Sequence, residues 1–177
     1  VPNNLENPEL GSRMVPFGRE LYIEREDFME EPVRKYFRLF PGNEVRLMSA
    51  YFVTCTGCEK DEDGNVTVVH ATYDPETRSG SGLNARKVKG TIHWVAARTA
   101  QQAECRLYEN LVDEEKGKLN EDGSLNLNPD SLKILKNCYV EPAFANARGY
   151  DSYQFVRNGF FCVDCNDSSP DALVFNR

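Results

Sequence analysis

The chain has 177 residues, 40% hydrophobic and 11% aromatic, enough for one ordinary domain or two small ones with separate cores. No apolar run approaches the about 20 residues a membrane-spanning helix needs, and residues 1–12 carry neither the basic start nor the apolar stretch of an export signal. A formal net charge of −7 counts against indiscriminate nucleic-acid binding, since phosphates reward Lys and Arg.

Distribution matters more than the sum. Acids bunch at Asp61-Glu62-Asp63, Asp113-Glu114-Glu115 and Glu121-Asp122, and bases at Arg34, Lys35 and Arg38 and at Arg86, Lys87 and Lys89. An acidic protein can therefore still present one basic face. The opening Val1-Pro2-Asn3 reads as a processed or excised piece of a longer chain.

In chain order, residues 21–23 form a brief apolar run. Pro32 suits a first helical position, and Val33, Tyr36, Phe37 and Phe40 follow at i, i+3, i+4 and i+7, the stripe of one short amphipathic helix. Pro41-Gly42 ends it. That helix would bury Phe37 and leave Lys35 and Arg38 neighbours toward solvent. Residues 45–54 (VRLMSAYFVT) read as one long strand, and residues 66–73 (VTVVHATY) return after a polar loop ending in Asp63-Gly64-Asn65, giving a hairpin.

Residues 87–96 (KVKGTIHWVA) are a third strand, and residues 103–108 alternate with period two. Helical turns are expected at Pro129-Asp130-Ser131 and around residues 143–147. The acidic stretch 113–129 reads as a long loop that marks a change of subdomain. Near the end, Asn158-Gly159 lies between residues 153–157 and 160–163, a hairpin signal in which both turn residues take φ > 0. Many short strands with turns every 8–12 residues predict an all-β, mainly antiparallel sandwich or barrel.

Enzyme signatures are absent: there is no phosphate-binding Gly-rich loop, no Gly-x-Ser-x-Gly and no His-Glu-x-x-His. His70 and His93 sit within strand patterns and read as packed on a sheet face. Six cysteines stand at 55, 58, 105, 138, 162 and 165. Without an export signal, free thiols of a cytoplasmic protein are the reading. Cys55-x-x-Cys58 and Cys162-x-x-Cys165 together would supply four zinc ligands, but about a hundred residues separate the pairs, far beyond ribbon spacing. Tyr36, Phe37, Tyr51, Phe52, Tyr153 and Phe155 are aromatics beside basic groups and candidates to stack on unpaired bases, although alternation assigns most of them to the core.

Several phrases add a resemblance: residues 11–17 (GSRMVPF), 21–28 (LYIEREDF), 45–47 (VRL), 86–94 (RKVKGTIHW), 106–108 (RLY) and 174–177 (VFNR). In this order, from about Pro2 to Arg177, they resemble the C-terminal half of glutaminyl-tRNA synthetase, a class I family. The resemblance implies two Greek-key-type six-stranded antiparallel β-barrels: a distal one over residues 1–98, and a proximal one over 99–177 that lacks a strand and is left partial. It implies binding of the tRNA anticodon stem-loop by a monomeric, cytoplasmic protein that adjoins the catalytic domain of its parent chain. The parent would use ATP and magnesium to attach glutamine to tRNA. This piece would be non-catalytic, with no cofactor or metal of its own.

Residue by residue, Arg38 matches a family arginine at the third anticodon base and Arg46 one at the first. Gln154 and Arg157 match the pair that handles the central uridine. Lys35 stands where the family's best-known member has glutamine, and Val33, Phe37 and Met48 where it has basic residues. Alternative readings are the same barrels from a glutamyl-tRNA synthetase, or a zinc-stabilised interaction domain.

Overall fold

The computed structural model describes residues 1–4, 6–81, 86–112 and 117–177. The acidic triplet 113–115 lies outside them. The described chain is all-β: eleven strands and four short 3-10 segments, the longest of these Pro142–Asn146. It divides into two compact units, Val1–Arg98 and Thr99–Arg177.

In the first unit β1 (Leu21–Tyr22) pairs antiparallel with β6 (Val95–Ala96). A four-stranded sheet is ordered β4 (Val66–Asp74), β3 (Phe52–Lys60), β2 (Glu44–Leu47), β5 (Thr91–Ile92). Strand β2 runs antiparallel to β3 and parallel to β5. One sheet face carries Val45, Leu47, Val53, Cys55 and Ile92 into a cluster completed by Phe28, Leu39, Ala50, Trp94 and Ala96. The β3–β4 hairpin forms where the alternation and the Asp-Gly-Asn loop place it. Asp61 caps the loop, its carboxylate accepting from the backbone N–H of Asp63 and Asn65.

Two expected elements differ. The run 45–54 is not one strand: Ser49 has φ 57°, the Ala50 N–H donates to Leu47 O at 3.0 Å and the Leu47 N–H to Tyr51 O at 2.8 Å. A tight turn thus folds the run into β2 and the start of β3. Its residues are apolar enough to mimic a continuous strand, and no Gly or Pro announces the turn. Similarly, 87–96 is broken into β5 and β6, whose partners are different strands.

The short helix over residues 32–40 does not form. Lys35 has φ 69°, which a right-handed helix forbids. The Tyr36 N–H donates to Val33 O at 3.0 Å, closing a single turn. Beyond it the chain is extended: Leu39 bridges Phe28 in parallel, its N–H donating to Asp27 O at 2.9 Å while Met29 N–H donates to Leu39 O at 3.1 Å. Burial follows this pairing, not the helical stripe. Leu39 is 3% exposed, whereas Val33 and Phe37 are 64% and 49% exposed.

The second unit is a five-stranded sheet ordered β8 (Leu132–Val140), β7 (Gln101–Tyr108), β11 (Leu173–Asn176), β10 (Gly159–Val163), β9 (Ser152–Phe155). Strand β11 is inserted centrally, parallel to β7 and antiparallel to β10. Phe161, Val163, Leu173 and Phe175 meet Ala103, Cys105 and Val140 in its core, with Phe144, Tyr153 and Phe155 packed at ring-centroid distances of 4.4–5.7 Å. Residues 129–130 make a turn leading into β8, an unforeseen strand. The all-β architecture is as expected; among the described residues the sheets have four, two and five strands and do not close, so the barrel description is met only loosely.

Candidate nucleic-acid interface

In the first unit, basic residues gather where the Val33–Tyr36 turn meets the β2–β5 edge. Lys35, Tyr36, Phe37, Arg38, Lys89, Gly90, Thr91 and Glu26 line an open recess of about 540 Å³. Gly90 makes that meeting possible. A Cβ built on it would stand 1.9 Å from the Phe37 carbonyl oxygen and 3.1 Å from Val45 Cγ1, so only glycine lets residues 89–91 pass this close. The Gly90 carbonyl then accepts the Arg46 N–H at 2.8 Å, extending the parallel pairing of Arg46 with Thr91.

Each predicted cation is held differently. The Arg38 guanidinium pairs with the Asp27 carboxylate, which is 0% exposed. A buried carboxylate needs such a partner, so Arg38 is locally rigid while its side chain remains 36% exposed. Arg46 lies on the sheet face opposite the core, its Cζ 4.6 Å from the centroid of the Phe52 ring. Arg86 lies at 5.0 Å from the same centroid and donates to Glu44 at 2.6 and 3.1 Å and to Asp74 at 2.9 Å. These carboxylates raise the Arg86 pKa above its ordinary value. Two guanidiniums thus cover a ring that is 1% exposed, an arrangement favoured by cation–π attraction. Lys89 Nζ stands 5.4 Å from the Phe37 ring centroid.

In the second unit, Gln154 is exposed on β9, opposite Phe160 of β10; Phe160 is 72% exposed. Tyr153 and Phe155 alternate to the core face, so their expected nearness to basic groups does not make them contact residues. The hairpin turn is not the two-residue Asn-Gly form. Phe155 pairs with Gly159, the Asn158 N–H donates to Phe155 O at 2.8 Å, and the positive φ values fall on Arg157 (73°) and Gly159 (123°). Arg157 therefore occupies the tip in a left-handed conformation, three positions beyond Gln154. Arg177 Nη1 donates to Asn158 O at 3.2 Å, and its Nη2 lies 3.6 Å from Glu109 Oε1.

Lys35 and Arg38 thus line one recess of the first unit, which Arg46 adjoins through its backbone bond to Gly90 while its side chain rests on Phe52, and Gln154 and Arg157 share one hairpin of the second. Lys89 and Phe37 also line the recess. The glycine in residues 87–90 (KVKG) was the available signal, because glycine within a strand pattern marks close backbone approach. His70 lies on an open face, Nε2 2.7 Å from Glu59 Oε1. An extra residue in β3 between Cys55 and Gly57 turns Cys58 toward the same core as Cys55. Cys162 and Cys165 belong to the other unit. Among the described residues no three His, Cys, Asp or Glu side chains converge as a metal-binding group, and no helix is long and apolar enough to cross a membrane.

Two protein-family models, each described as tRNA synthetases class I (E and Q), anti-codon binding domain, match residues 1–74 and 91–164. All of the chain aligns with proteins named Glutamine--tRNA ligase. Those of Clostridioides difficile (strain 630) and Clostridium perfringens are each 54% identical over 182 and 181 residues, with 32% of each relative covered. That of Ralstonia nicotianae is 49% identical over 179 residues, with 31% covered. The chain therefore spans about a third of the length of the curated relatives it matches.

Proposed function

Because the chain belongs to the anticodon-binding domains of the class I (E and Q) tRNA synthetases, we propose that it grips the anticodon stem-loop of a glutamine tRNA for a parent glutamine–tRNA ligase. The parent would couple ATP and magnesium chemistry to glutamine attachment through a catalytic domain adjoining this piece. We assign the first unit as the distal anticodon-binding domain and the second as a partial proximal one, acting as a cytoplasmic monomer.

The observation that carries this reading is the pre-set cation group at the β2–β5 edge. Arg38 against buried Asp27 and Arg46 against the Phe52 ring have lost rotamer freedom before RNA arrives, so less is lost on binding. Guanidiniums can donate paired hydrogen bonds to a base edge or a phosphate, and Lys35 adds an exposed charge from the turn. In the second unit Gln154, an exposed amide, and Arg157, at the hairpin tip, are the contacts proposed for the central uridine.

The test compares binding of this chain to a glutamine tRNA transcript and to one with the central uridine replaced, across a salt series. The expected outcome is weaker binding of the altered transcript, by about 1–3 kcal/mol, and weakening of both by salt. Gln154→Ala should remove most of the difference between the transcripts. Equal binding of both would refute anticodon reading through this hairpin.

A further inference from the structure

The Phe37 ring is the least explained feature of the recess. A phenylalanine in extended chain next to Leu39, which is 3% exposed, remains 49% exposed itself. Its backbone is fixed on one side, because residues 89–91 pass so close that any side chain at position 90 would strike the Phe37 carbonyl. Lys89 Nζ stands 5.4 Å from its ring centroid. Lys35 and Arg38 flank it in the same recess, the latter ion-paired to Asp27. An exposed, positioned aromatic among cations has the composition of a single-strand nucleic-acid platform: the ring offers a π-face to a base and the cations attract the adjoining phosphates.

We propose that Phe37, braced by Lys89, is a stacking platform for one unpaired base of the RNA loop, the base nearest Arg38. The proposal rests on the anticodon-loop reading above and adds a mode of contact to it. Stacking is tolerant of base identity, since every base has a π-face. This position is therefore gripped more than it is read, in contrast to the hydrogen-bonding contacts proposed for Arg46, Gln154 and Arg157.

The experiment titrates this chain into an anticodon stem-loop RNA carrying 2-aminopurine at each anticodon position in turn, with parent, Phe37→Leu, Phe37→Tyr and Arg157→Ala proteins. The expected result is quenching at one position that Phe37→Leu abolishes and Phe37→Tyr keeps. Affinity should fall about tenfold or more for Phe37→Leu whichever base stands there. Because the ring is half exposed, the melting temperatures of the two Phe37 variants should stay close to the parent's. Unchanged affinity and quenching in Phe37→Leu would overturn the platform, and if Arg157→Ala still weakened binding the anticodon reading would stand without it. No binding by the parent protein at low salt would overturn both.

Discussion

At the residue scale, the cysteines and Arg38 show how burial sets behaviour. Cys55 is 1% exposed, and burial pushes its thiol above the ordinary range, with a smaller opposing contribution from the backbone at Gly57. Cys165 is exposed. Since the thiolate is the nucleophile, alkylation at neutral pH should modify Cys165 first and spare Cys55 until denaturant is added, as mass spectrometry of timed samples would show. Arg38→Ala removes the guanidinium from a buried carboxylate. It should destabilise the first unit by about 2–4 kcal/mol, read as a lowered denaturant midpoint, so its effect on RNA binding must be judged on folded protein.

At the element scale, the turn in place of a helix makes opposing forecasts for one substitution. Within a helix, Lys35→Gly would cost about 1 kcal/mol. At φ 69° a side chain is strained, and Lys35→Gly should be neutral or stabilise by up to about 1 kcal/mol. Gly90→Ala forces a methyl against the Phe37 carbonyl and should cost on the order of 3 kcal/mol, measured by thermal denaturation. These two positions also show what was legible in the sequence. The β3–β4 and β9–β10 hairpins stood out because alternation and turn residues agree. The stripe Val33, Tyr36, Phe37, Phe40 misled because helical spacing also arises by chance in a turn followed by extended chain, where Leu39, off the stripe, is the residue the core takes. Strand β8 gave little signal because most of its residues are exposed, leaving no clean alternation. The cations proposed for the site were named from the resemblance alone. Their partners, Asp27 and Phe52, were not legible as such, although they are near in sequence, since the Phe28–Leu39 bridge and the turn at Ser49 that bring them together stand where a helix and one long strand were expected.

At the scale of the whole molecule, each unit owns its core, so Val1–Arg98 expressed alone should unfold cooperatively. The second unit has an acid-sensitive clasp. Asp164 accepts from Asn176 Nδ2 and from the N–H groups of Asn166 and Asp167, each at 2.8 Å. The Asn176 bond leads in pulling its pKa down to about 2. A carboxylate with a depressed folded-state pKa contributes stability that is complete above its ordinary pKa near 4 and is lost as pH falls toward 2. Asp164→Asn should thus lower stability at neutral pH and flatten the loss between pH 4 and 2, by near-neutral and acid denaturation curves.

The same clasp ends on β11, which stands between β7 and β10. Strands from residues 101–108 and 152–163 cannot be joined into one sheet until residues 173–176 exist, although they are made earlier. During synthesis the ribosome must therefore release the second unit's hairpins as unfinished halves, with open backbone edges, until its last strand emerges. The first unit needs nothing after residue 98 and can be complete by then. Nascent chains arrested at residue 170 should show a protease-resistant first unit and a sensitive second one.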